Sequence, residues 1–293
     1  MNAWGLFLLV FVCLVFFKVD VHASSLDEEV KKINVNETTR LSVVFSSQNN
    51  HQPESAFGHV FILFHQQNYP EPDAHSVEFV GHVTNFSQMV QSVGAQVDGR
   101  YRVVDFSQKS LEYDLEDRDI FIFELRASAS EVKQLADDIS EELKKNYPYS
   151  FTKKNCGFYL NRLLFRHGLS QRDLSSDWVV KPIDVIDSLD QSRIAQVKLV
   201  PSSRRVAMHY QNELTDDEVL VFKKFLLGHD VPQEAMTHTL QAAVSSQIRY
   251  QLPREEKAWM RQHLAQQQKT VWHAEPSNLK NKYDDEMFEN TKR

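Results

Sequence analysis

The sequence predicts an α+β fold, with a core of intermixed strands and helices and an all-α C-terminal extension. Three observations carry this. Between Leu41 and Arg205, short β-branched and aromatic runs alternate with amphipathic stretches. From Arg204 to Thr270 the apolar spacing is helical throughout. Within the first of these regions Cys156, the one cysteine outside an N-terminal leader, opens an apolar-periodic helix.

The elements follow in order. Ala3 to Phe17 is an almost unbroken apolar stretch containing Cys13, and Val21-His22-Ala23 then offers a small-x-small cleavage site. Residues 1–23 therefore read as a signal peptide cut after Ala23, and the mature chain as periplasmic or secreted. No other apolar run approaches the ~20 residues that a membrane span needs, so the mature chain is expected to carry no transmembrane segment. Residues 24–40 form a charged, poorly periodic lead-in. In the core, 41–205, strands are expected over Leu41–Ser47, Gly58–His65, Ser76–Val83, Tyr101–Phe106 and Ile120–Leu125. Ser128 or Ser130 caps an amphipathic helix from Glu131 to Lys145. A short β-like run then ends in Asn155, a good N-cap residue, and the Cys156 helix begins, with Leu160, Leu163, Leu164 and His167 on the cysteine's face. Pro182 to Leu189 is a short helix and Ile194–Val200 a last strand.

The extension, 206–273, is expected to pack on the core, because stripes such as Val219, Phe222, Leu226 and Leu227 need a surface to bury against. Thr215 caps one of its helices, which stops at Gly228, and Pro253 starts another over Glu255–Gln268. Residues 274–293 are charged, with few core formers, and read as a disordered tail.

Composition narrows the function. The net charge is −7 with no dense basic block, so no nucleic-acid partner is expected. Only 8 glycines occur and none builds a phosphate-cradling loop, which argues against nucleotide chemistry. No His/Cys/Asp set has metal-ligand spacing, and no cofactor is expected. An exported chain with one unpaired cysteine carries a free thiol, and a free thiol at a helix start is a candidate nucleophile. There the positive dipole end favours the thiolate, and the N–H groups of Cys156 and Gly157 can hold an oxyanion.

A cysteine nucleophile needs a base. Of twelve histidines, most lie in the helical tail or at loop and strand ends, whereas His59 begins the hydrophobic strand Phe57-Gly-His-Val-Phe-Ile-Leu-Phe64 just after a glycine. In the next strand Glu78, Val80 and His82 share a face by period-2 alternation. Either Glu78 or His82 can orient His59 as the third member of a triad, with His82 slightly preferred. Tyr147 and Tyr149 approach the nucleophile along its strand and are candidate lining of a substrate cleft, with core packing the role expected of at least one.

The order His, polar orienter, then Asn155-Cys156-Gly157-Phe158 opening a helix resembles the circularly permuted papain-like thiol enzymes, a group that includes NlpC-type relatives and lecithin:retinol acyltransferase. A closer resemblance rests on four segments in sequence: Ser55-Ala-Phe-Gly-His59-Val-Phe-Ile-Leu, Arg118-Asp-Ile-Phe-Ile-Phe-Glu-Leu125, Tyr147-Pro-Tyr-Ser-Phe-Thr-Lys-Lys-Asn-Cys156 and Pro201-Ser-Ser-Arg-Arg205. Together they resemble the bacterial "Lnb N-terminal periplasmic domain" family. Ser246-Gln-Ile-Arg-Tyr-Gln-Leu252 is similar to its helical follow-on. The resemblance implies a permuted papain-like core with an antiparallel sheet and a nucleophile helix. It also implies a periplasmic thiol-dependent acyl enzyme whose histidine and cysteine fall on His59 and Cys156. The expected substrate is an acyl-bearing lipid or lipoprotein. Two alternatives stand beside it: a cysteine peptidase or amidase on cell-wall peptide, and a non-catalytic envelope binding module of the same fold.

Overall fold

The computed structural model describes residues 26–48, 57–66, 74–82, 88, 92, 96–227, 235–251 and 272–273. The leader, the stop at Gly228, the helix expected over Glu255–Gln268 and the charged tail lie outside these residues. Eight strands form one sheet: β1 (Arg40–Ser46), β2 (His59–His65), β3 (His75–Gly81), β4 (Val97–Asp105), β5 (Ile120–Leu125), β6 (Tyr147–Tyr149), β7 (Ile194–Val200) and the two-residue β8 (Trp272–His273). Their spatial order is β6-β4-β3-β2-β1-β5-β7-β8, and every neighbouring pair is antiparallel.

The central strands are covered on both faces, which is why Val60-Phe-Ile-Leu-Phe64 is apolar without alternation. On one face Val43, Phe45, Val60, Ile62 and Phe79 pack under three helices: α3 (Ala129–Glu142), α4 (Cys156–Arg166) and α5 (Pro182–Ser188). On the other, Val44, Phe61, Leu63 and Ile122 pack against Phe106 and Tyr113 of α2 (Phe106–Leu115). Ser128 caps α3 in a full capping box, settling the choice between Ser128 and Ser130.

Several expectations need correction. The lead-in is not featureless: α1 (Leu26–Lys32) buries Glu29, and Ile33 joins the core. Helix α2 follows β4 directly, without a side-chain cap and with Lys109 and Asp114 among its buried residues, so neither capping nor periodicity signals it. His167 does not extend the apolar face of α4, because the helix ends at Arg166 and His167 bonds Asp138 at 3.0 Å. Strand β8 pairs with Lys198 and Leu199 inside a segment read as all-α.

The extension comprises α6 (Ser203–Asn212), α7 (Asp216–Leu226) and α8 (His238–Gln251). It builds a small core of its own from Phe222, Leu240, Ala243 and Val244. The expected stripe is buried only in part: Phe222 is buried, but Leu226 and Leu227 are exposed. Its firmest tie to the sheet is polar. The N–H of Ser202 donates to Asp119 at 2.8 Å, and that of Ser203 to Asp114 at 2.6 Å. Arg205 also pairs with Asp119. Two buried carboxylates thus receive the N-terminus of α6, where its free N–H groups and dipole favour negative charge.

Candidate active site

Helix α4 starts where it does because of Asn155. Its Oδ1 accepts the N–H of Phe158 at 3.2 Å, the N-cap bond that sets Cys156 as the first helical residue. The same buried side chain donates through Nδ2 to the carbonyls of Phe151, at 2.9 Å, and Val180, at 2.7 Å. One amide therefore caps the helix and ties together the two loops that flank its start. Gly157 suits the close approach of the second loop, since a Cβ there would lie 3.2 Å from the Lys181 carbonyl and from the Val180 side chain.

Strand β2 brings His59 to this helix start through an interruption in the sheet. The β2–β3 ladder runs from Phe64↔His75 to Ile62↔Val77 and goes no further among the described residues. Beyond it β2 continues to pair with β1, and β3 with β4. The strands therefore part at the N-terminal end of β2, and the thiol of Cys156 meets them there. The N–H of Val60 and the N–H of Gly157 both donate to the sulfur, and His59 hydrogen-bonds it.

On the far side of the split the imidazole is held from behind. His59 Nε2 lies 2.8 Å from Glu78 Oε2, which leaves Nδ1 for the thiol. Glu78 is fixed in turn by its cross-strand partner Arg102, whose Nε donates to Oε1 at 2.7 Å, and by Lys109 of α2, 3.4 Å from Oε2. Lys109 also pairs with Glu112 at 3.0 Å. The carboxylate and both cations are largely out of water, and the formal charges balance: thiolate, Glu78 and Glu112 against imidazolium, Arg102 and Lys109.

The titration of the pair follows from this neighbourhood. Burial pushes the Cys156 thiol up, but the His59 charge and hydrogen bond, with the N–H groups of Val60 and Gly157, outweigh burial and hold it below the ordinary thiol range. Burial likewise works against protonated His59, yet the Cys156 thiolate and the Glu78 carboxylate prevail and raise it to about 9. For Glu78 burial is again opposed, by Lys109 and Arg102 first and His59 next, and the carboxyl stays well below the usual range. Both shifts favour an ion pair of thiolate and imidazolium over the neutral pair.

The expected residues divide as follows. Cys156, His59 and Glu78 come together. The preference for His82 is corrected: β3 ends at Gly81, and His82 sits exposed beyond it, its N–H bound to the Asp98 carbonyl at 2.7 Å. The ring of Tyr149 lies over the last cross-strand pair, Gly81↔Gly99, and a Cβ at position 81 would fall 2.5 Å from that ring. Tyr147 turns its hydroxyl to Glu142 and packs against Phe79 and Tyr159, a structural role. Tyr149 lies close enough to Cys156 that burial and then the negative charge of its thiolate push the phenol up. Asn155 positions the helix, while Gly157 presents its N–H to the sulfur. Arg102 and Lys109 escaped the sequence reading, although Arg100 and Arg102, alternating in β4, mark a polar face opposite Glu78.

Against known proteins, the profile of the Lnb N-terminal periplasmic domain matches residues 29–192. The chain belongs to the Lnb N-terminal periplasmic domain family. The match spans α1 to the turn before β7, so it contains every residue of the site. No curated protein matches the sequence. Among solved structures, TseH, described as a type VI secretion system effector, is similar over 58% of this chain and 96% of its own, at 15% identity and a TM-score of 0.36. That likeness is too loose to bear on the site. In this Lnb-type domain, no group of His, Cys, Asp and Glu suited to a metal ion occurs among the described residues. Nor is any described helix long and apolar enough to cross a membrane.

Proposed function

We propose that the chain is an exported cysteine-dependent acyl enzyme acting on ester or amide bonds of envelope lipids or lipoproteins. The observation that carries this reading is the assembled Cys156–His59–Glu78 array, with a thiolate at a helix start and an imidazolium whose far nitrogen is fixed by a buried, ionised carboxylate. The thiolate attacks the acyl carbonyl. His59, already protonated, gives its proton to the departing alcohol or amine, and a thioester on Cys156 results. In the second half an amine or water attacks the thioester, His59 takes its proton, and the thiolate leaves. Glu78 holds the ring in the required orientation and stabilises its charged form. The N–H groups at the start of α4 face the reacting carbonyl.

The test is the thioester. Incubated with a diacyl phospholipid or an activated acyl ester, the wild-type protein gains the mass of one acyl chain, removable by neutral hydroxylamine. Cys156→Ser gains no adduct labile in this way. Turnover of muropeptides without any lipid adduct would instead favour a cell-wall peptidase. Binding of envelope components with no modification of Cys156 would leave only the binding module.

A further inference from the structure

The loops that Asn155 ties together carry exposed apolar side chains. On the loop that ends at Val180, Trp178 is 88% exposed and Val179 39%. On the Phe151 side, Phe57, two residues before His59 and 39% exposed, packs at a tilt against Phe151 with ring centroids 5.2 Å apart. Because the Asn155 amide holds both the Phe151 and the Val180 carbonyls, the two groups flank the same end of α4, where Cys156 lies. Isolated exposed apolar residues need no explanation, but an almost fully exposed tryptophan beside an active cysteine does.

The charges beside these residues point to the partner. Lys153 and Lys154 precede Asn155, Lys181 follows Val180, and none has an ion-pair partner among the described residues. Of the carboxylates nearest in sequence, Asp177 pairs with Arg172, while Asp184 accepts the N–H of Lys181 and Asp173 the N–H and hydroxyl of Ser175. A chain of net charge −7 thus places three lysines without ion-pair partners among the described residues close in sequence to the exposed Trp178 and to Cys156. Lysines attract an anionic lipid surface, and tryptophan settles at the boundary between headgroups and acyl chains. We infer that this rim docks the site onto an anionic phospholipid surface, with Trp178 inserted at the interface and Lys153, Lys154 and Lys181 on the headgroup phosphates. The inference rests on the reading of Cys156 as a lipid-directed acyl enzyme and gives that enzyme its substrate surface.

The experiment reads Trp178 itself in the full chain. Wild type and Trp178→Phe are mixed with vesicles of phosphatidylglycerol carrying brominated acyl chains, and the difference in quenched fluorescence isolates residue 178 from the other tryptophans. The difference signal should be strongly quenched by these vesicles, weakly by brominated phosphatidylcholine, and progressively less as salt is raised. Reversing Lys153 and Lys154 to Glu should weaken binding about 25-fold or more, at roughly fivefold for each lysine removed from the surface. The inference is overturned if Trp178 remains unquenched by anionic vesicles, is quenched equally by neutral ones, or is indifferent to the double charge reversal. Thioester formation from a soluble short-chain ester is followed separately in wild type. Its absence defeats the proposed chemistry whatever the vesicles show, and its presence with an unquenched Trp178 defeats the docking alone.

Discussion

The ion pair makes a quantitative demand on the pH dependence of Cys156. An ordinary thiol of pKa ~8.5 is roughly 0.3% thiolate at pH 6, whereas a thiol held as its anion by protonated His59 gains up to about 300-fold in reactive form. Reduced basicity lowers intrinsic nucleophilicity with a slope of about 0.4–0.5, which returns part of the gain and leaves an advantage of about tenfold or more. Cys156 is only 7% exposed, and restricted access slows alkylation equally at every pH. The shape of the profile is therefore the readout. Rates of iodoacetamide labelling, followed by intact mass from pH 5 to 10, should show a plateau that begins well below pH 8 and changes only when His59 loses its proton near pH 9. Glu78→Gln keeps the shape of the side chain but removes the charge behind the ring, so the upper edge of the plateau should move to lower pH. A single rise centred near 8.5, or a Glu78→Gln profile that superimposes on wild type, would refute the ion pair and the role of Glu78 together.

The same pair has a signature in stability. His59 titrates at about 9 when folded, against 6.5, and so contributes stability that is full below 6.5 and lost as pH rises through 9; Cys156, lowered on folding, contributes stability that is full above its unfolded value and lost as pH falls. Between about pH 6.5 and 8.5 the two slopes cancel, so the stability difference in urea between wild type and a Cys156→Ser, His59→Gln double variant, which removes both titrations, should be flat there, falling on the acid side and as pH rises through about 9. Glu78→Gln should cost about 3 kcal/mol in the same assay, because Arg102 loses its carboxylate and Lys109 keeps only Glu112; a change under about 1 kcal/mol would mean that the cluster is solvated. Asn155→Ala removes a helix cap and the donor to two carbonyls, and should lower stability by about 2–4 kcal/mol along with thiol reactivity near pH 6; unchanged reactivity would separate the cap from the site. Gly81→Ala places a methyl against the Tyr149 ring and should cost about 1–3 kcal/mol by urea melt, a cost absent in a Tyr149→Ala background.

What the sequence made legible followed from strong local signals. Ile120–Leu125 and Ile194–Val200 stood out because dense β-branched and aromatic runs lie between polar turns, and the structure has them at those bounds. Asn155 before an apolar-periodic run located the nucleophile helix to the residue. The choice between Glu78 and His82 was not local. Period-2 alternation puts both on one face, and only the end of β3 at Gly81 removes His82 from it. Helix α2 was illegible for a related reason: its site-facing residue is Lys109, which reads as solvent-exposed until Glu78 is known to lie opposite.

The split between β2 and β3 has a consequence for the order of events after the first attack. The lowered thiol favours a sulfur anion that accepts hydrogen bonds from Val60 and Gly157. Once it is acylated as proposed, the sulfur becomes a poor acceptor, and two N–H groups shut away from water are left unsatisfied, each at a cost of about 1–3 kcal/mol. The oxygen of the newly attached acyl group is the acceptor brought to them. Acylation would thereby retune the cavity from one that steadies a negative sulfur to one that draws charge onto a carbonyl oxygen, with no movement of the backbone, so that the first half-reaction prepares the second.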